Sequence, residues 1–263
     1  MRVRHQPDLI VHGAAAMLGH CGLKIAFEFA GADDLERGAA VVTDVCKAFA
    51  IAGALGAYAL TRHARAEATM GMPEIRRADE RCLVALVRAA NVDATAFQFL
   101  RNMLGSLVTR SARLQRIRVL VEGAGAASVE RLPVIDDLNE SHAYPRTWVT
   151  PDDFELVWAD SEFSKARRVL LAFGAPPPTD VAIKLQPYVL AWFGLLERGA
   201  FCAPYGLPFE TESVGDGLSV FDETSYEISI RRFVASEAGF HVLANMLGHF
   251  SRNVLAIESV EID

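Results

Sequence analysis

Lysine is nearly missing from this chain: four of 263 residues, against 22 arginines. The arginines are scattered rather than clustered, so the imbalance reads as compositional bias and not as a built anion clamp. A net charge of −7 leaves no broadly basic surface, and nucleic acid is therefore not an expected partner. Cysteine is also scarce. Cys21, Cys46, Cys82 and Cys202 stand far apart among apolar residues, with no C-x-x-C pair to hold a metal or run redox chemistry. Buried reduced thiols suit a reducing cytoplasm. No long apolar run occurs either. The longest, "AFAIAGALGAYAL" (48–60), falls well short of the roughly 20 residues that cross a bilayer, which excludes a membrane span there. The opening "MRVRHQPDLIVHGAAAML" is broken by Pro7, Asp8 and His12, so no secretory signal is expected.

The familiar catalytic signatures are absent as well. There is no G-x-x-x-x-G-K-[ST], no H-E-x-x-H and no G-x-S-x-G, and the glycines of "EGAGAASVE" (122–130) lead into "RLPVIDD" rather than a helix. No cofactor and no metal are expected from these patterns.

What is present is a repeat. "FQFLRNMLGSLV" (97–108) and "FHVLANMLGHFS" (240–251) share F-x-x-L-x-N-M-L-G at an offset of 143 residues. At the same offset Asp93 falls on Ser236 and Arg88 on Arg231, so the preceding cap and strand positions also match.

Periodicity supplies the flanking elements. "LKIAFEFA" (23–30) alternates strictly, with Leu23, Ile25, Phe27 and Phe29 on one face, as a half-buried strand does. Asp33 with Glu36 forms a D-x-x-E capping pattern opening a helix to about residue 61. Strands are expected at 81–89 and 114–122, with a weak one in "AEATMGM" (66–72) and the first NMLG helix opened by Asp93. In the second half, strands are expected at 154–160 and 254–262, and two more around the D-E-T turn of "GLSVFDETSYEISIRRFV" (217–234). Helices are expected from Asp160 or Ser161 to about Phe173, from 180 to 198, and from Ser236 through the second NMLG.

Strand–helix–strand–strand–helix–strand, twice, resembles a tandem duplication of the ferredoxin-like α+β sandwich. The alternative is a single irregular α+β domain. On the duplicated reading, residues 1–20 are an N-terminal extension, 21–123 the first unit, 124–152 a linker and 153–263 the second unit.

Three groups of side chains are candidate sites. His241, Asn245 and His249 line one helix face at i, i+4 and i+8, and Asn102 is the first repeat's counterpart of Asn245. The two histidines stand about 12 Å apart along the axis, too far to share one ion. The acidic linker offers Asp136, Asp137 and His142 for acid–base work. Arg116, Arg118 and Arg231 lie opposite the apolar strand faces, where they can meet an anionic ligand or a partner of matched charge.

The function expected is binding without catalysis: a protein partner or a second copy, held on an exposed sheet face or in the cleft between units. A small-molecule ligand there is compatible with the same geometry. The alternative is an enzyme using His142 with Asp136 or Asp137, or His241 and His249, in that cleft.

Overall fold

The computed structural model describes residues 6–13, 17, 19–60, 68–107, 112–122, 129–132, 151–158, 166–201, 214–233, 235 and 237–263. Among them are two mixed sheets and four helices, an α+β architecture. The first sheet contains β1 (Asp8–His12), β2 (His20–Phe29), β3 (Thr69–Met70), β4 (Glu74–Arg77), β5 (Cys82–Ala90), β6 (Leu114–Val121) and β7 (Val129–Leu132), with helices α1 (Ala32–Ala54) and α2 (Ala96–Leu107). Its order is β3-β5-β2-β6-β1-β7, with β4 also paired to β5. The second contains β8 (Glu155–Trp158), β9 (Arg167–Ala172), β10 (Val214–Val220), β11 (Ser225–Arg232) and β12 (Ser259–Ile262), with α3 (Val181–Glu197) and α4 (Ala238–Asn253). Its order is β10-β11-β9-β12-β8.

Four strands of each sheet follow one pattern. β5-β2-β6-β1 and β11-β9-β12-β8 each run antiparallel, antiparallel, then parallel. The 143-residue offset extends beyond the repeat helix. Gly56 and Gly199 both take a left-handed φ, +84° and +76°, just past α1 and α3, where glycine costs least. The bond from Ala57 N–H to Ala52 O recurs as Ala200 N–H to Leu195 O, each 3.1 Å.

The alternation predicted from sequence matches the buried face of β2, where Leu23, Ile25, Phe27 and Phe29 are buried. The same period of two buries Ile117, Val119 and Val121 of β6 and Tyr226, Ile228 and Ile230 of β11. Gly38 places α1 against the ring of Phe29, so this helix covers the apolar face of the first sheet. The helical layers of the two halves meet. Arg198 donates from Nε to Asp44 of α1 at 3.0 Å, and Phe99 of α2 meets Phe201 edge-on with centroids 5.0 Å apart.

Several expectations need correction. The stretch predicted to continue a helix to Phe173 contains β9 at Arg167–Ala172. Leu, Ala and Arg favour helix locally, but pairing with β11 on one side and β12 on the other overrides that preference. Asp33 and Glu36 form no capping box: Gly31 is the N-cap, and Asp33 and Asp34 lie in the first turn. Asp34 instead accepts from Arg37 and from the Arg113 backbone, which together hold its carboxyl below the usual range. α1 ends at Ala54 rather than near 61, and β12 starts at Ser259 rather than at 254, which is the C-cap of α4. The first sheet also takes in two strands from outside 21–123, namely β1 and β7. Asp160, Ser161 and Ser236 lie outside the described residues.

Candidate functional site

The repeat helices answer first for their own conservation of pattern within the chain. Leu100, Met103 and Leu104 of α2 are buried, as are Leu243, Met246 and Leu247 of α4. The motif glycine permits a close crossing. A Cβ at Gly248 would meet Asp153 Oδ2 at 2.8 Å and Pro151 at 3.0 Å, and one at Gly105 would meet Gln6 at 3.4 Å. Thus the segment leading into the first strand of each half passes over the same point of the helix. The motif asparagine is buried in both helices, and Asn102 spans the two halves. Its Nδ2 donates to Ala200 O at 2.9 Å, while its Oδ1 accepts from Gln6 at 3.5 Å. Gln98 and Arg101 are buried beside it on α2, so this polar stripe faces protein and not water. Asn102 thus joins parts of the fold, and Asn245 is buried at the matching position of α4.

His249 is part-buried, with Nδ1 3.0 Å from the Tyr188 hydroxyl, and its Cβ lies beneath Gly56 of the other half. His241 sits apart from it, its ring 5.6 Å from that of Trp158. Burial pulls the His241 imidazole down to about 4. Between about pH 6.5 and 4 the unfolded chain therefore takes up a proton that the folded chain refuses. This group's contribution is intact above pH 6.5, is lost as pH falls through that window and changes no further below it. We expect roughly 2 kcal/mol of acid-side destabilisation from this group, allowing for its partial exposure. His241→Gln, the residue at the matching position of α2, should flatten that loss when urea unfolding is compared at pH 7 and pH 4.5. An unchanged slope would assign the acid limb elsewhere.

The arginines have partners. Arg116 bonds to Glu28 at 3.2 Å and Arg118 pairs with the same carboxylate, across the strands that register Glu28 with Arg116. Arg231 pairs with Asp216 at 2.5 Å. Asp136, Asp137 and His142 lie outside the described residues. Among the described residues no group of three or more His, Cys, Asp or Glu is placed to hold a metal.

The surface that sequence reasoning missed lies on α3. Its sequence, "VAIKLQPYVLAWFGLLE", is apolar nearly all round, with Lys184 and Gln186 the polar residues before its terminal glutamate. A helix of that kind is ordinarily buried all round. Here Val181, Leu185, Tyr188, Trp192 and Leu195 are buried, yet Ile183 is 71% exposed and Leu190 57%. With exposed Pro187 they form a stripe at i, i+4 and i+7. The stripe runs into an open hollow of about 360 Å³ between α3 and β10. Leu190, Phe193 and Gly194 line one side, Gly215 and Gly217 the other, and Glu197, Arg198 and Asp216 the rim. Gly215 is required there, since a Cβ would fall 2.4 Å from the Phe193 ring. Asp216 in turn links the rim to Arg231, the one arginine singled out from sequence that reaches this surface.

No family model and no curated protein matches this chain. A crystal structure of pitrilysin is similar at 12% identity and a TM-score of 0.23, over 95% of this chain. The chain spans 38% of the length of that protein. No helix among the described residues is long and apolar enough to cross a membrane.

Proposed function

We propose that the protein works by binding, and that α3 with the hollow beside β10 receives an apolar segment of a protein partner. The observation that carries this is the exposure of Ile183 and Leu190 in one stripe continuous with the hollow. Anchors at i, i+4 and i+7 match the way a helical or extended segment is gripped, and removing each such side chain from water contributes about 1.5–3 kcal/mol. Glu197 beside the hollow would set orientation through charge, Arg198 and Asp216 being paired with Asp44 and Arg231. The two halves read as copies of one ferredoxin-like unit, a view supported by their common strand order and common offset. Free Cys21, Cys46 and Cys82, with Cys46 pushed up to about 12 by burial, suit a reducing cytoplasm.

A photo-crosslinking residue placed at Leu190 in cells tests the docking site. We expect adducts with another protein at Leu190, lost on Ile183→Glu, and none from Arg88 on the charged face of the first sheet. Adducts from Arg88 alone would move the binding surface to that face. Both side chains at 183 and 190 are exposed, so folding should survive the change.

A further inference from the structure

The two sheets differ at one matching edge. In the first, β1 lies parallel to β6 and its other side is closed by antiparallel β7. In the second, β8 lies parallel to β12, and among the described residues no strand closes its other side. Leu9 and Val11 of β1 are buried, whereas their register counterparts on β8, Leu156 and Trp158, are half-buried and 43% exposed, and Val157 on the other face is 41% exposed. An uncovered apolar edge is a ready template for strand addition.

We propose that a second copy of this chain closes that edge, β8 pairing antiparallel with the partner's β8 about a twofold axis at Val157. Antiparallel strands are related by a twofold, so such a pair closes as a dimer and does not propagate. The backbone fits this register. Glu155 N–H donates to Glu258 O of β12 at 3.0 Å, so Glu155 and Val157 turn their backbone groups inward along β8. Leu156 and Trp158 then turn theirs outward, ready to bond across the axis.

Residues directly opposite in an antiparallel pair share a face. With the axis at Val157, Val157 meets its own copy on the outer face. Leu156 meets the partner's Trp158 on the face where Trp158 already packs edge-on against Phe240, 6.0 Å between centroids. Apolar meets apolar at all three positions. An axis at Leu156 would instead set Glu155 against Val157, which leaves a carboxylate facing an apolar side chain. The joined sheets would be continuous across both molecules. The contact is short, so the dimer should dissociate on the order of micromolar rather than nanomolar.

Sedimentation of the full chain between about 1 µM and 0.5 mM tests this range. We expect a concentration-dependent dimer that Val157→Lys converts to monomer, because like charges would face each other across the axis. Val157→Cys should yield a reducible covalent dimer on mild oxidation. Facing residues that do not exchange hydrogen bonds have Cα atoms about 4.5 Å apart, within disulfide reach. Wild type and Ser219→Cys, on the opposite edge strand β10, are the controls for Cys21 and Cys82 and should crosslink far less. A monomer throughout that range overturns the proposal, as does a dimer indifferent to Val157→Lys or a Val157→Cys chain that crosslinks no better than the controls. The crosslink decides the matter if the lysine variant fails to fold. None of these outcomes depends on α3.

Discussion

Gly56→Ala is expected to destabilise the protein by about 3 kcal/mol or more, through two effects at one atom. Gly56 holds φ at +84°, where a side chain adds about 1–2 kcal/mol of backbone strain. Its Cβ would also fall 2.6 Å from His249 Cβ, closer than packed atoms tolerate. His249 has little room to retreat, because its ring is 3.0 Å from the Tyr188 hydroxyl and its helix is buried along most of its length. Either α4 shifts against the first half or the turn after α1 opens. Gly217→Ala is the comparison without a clash: φ is +126° but nothing lies within 4 Å, so only backbone strain of about 1–3 kcal/mol remains. Urea unfolding of both variants, read at constant m-value, checks this. A loss at Gly56 of no more than the roughly 1–2 kcal/mol of backbone strain would mean that the clash with His249 contributes nothing.

Trp192→Ala carries the other large effect, about 3–5 kcal/mol. Trp192 is fully buried on α3, with Phe193 and Phe240 rings at 5.4 and 5.8 Å. Its Nε1 donates to Gly239 O at 2.7 Å, at the first turn of α4. Truncation therefore opens a cavity and also removes a second hydrogen bond from a carbonyl in the first turn of the repeat helix. Trp192→Phe keeps much of the volume and removes the donor, so its cost should be nearer 1–3 kcal/mol. The gap between the two variants measures packing apart from the hydrogen bond. A loss below about 1 kcal/mol for Trp192→Ala would show that this region collapses around the missing ring.

Much of the scaffold was legible along the chain. The strict alternation of residues 23–30 identified the buried face of β2, because a half-covered strand has a period of two. The nine-residue repeat pointed to a pair of helices with matching surroundings. β9 was not legible, since six residues of Arg, Val, Leu and Ala suit either structure until neighbours pair with them. The candidate site was harder still. Asn102, Asn245 and His249 stand out as polar residues on an amphipathic helix, but a helical period says only which side is apolar. It does not say whether the polar side meets water, a ligand or another helix. Arg116 and Arg118 looked available until the register set Glu28 beside them. α3 did carry a signal, in being apolar nearly all round with nothing in the sequence to cover every side.

Sequence alone determined the α+β class, the core faces of most strands and the internal repeat, because periodicity and local backbone preference act over a few residues. Tertiary structure alone decided which polar residues became a seam between halves, which arginines were neutralised and which apolar side chains remained outside. Several of those outcomes depend on partners more than 60 residues away, as with Tyr188 and His249 or Glu28 and Arg116. Burial and pairing belong to the assembled molecule, and no local stretch of chain contains them.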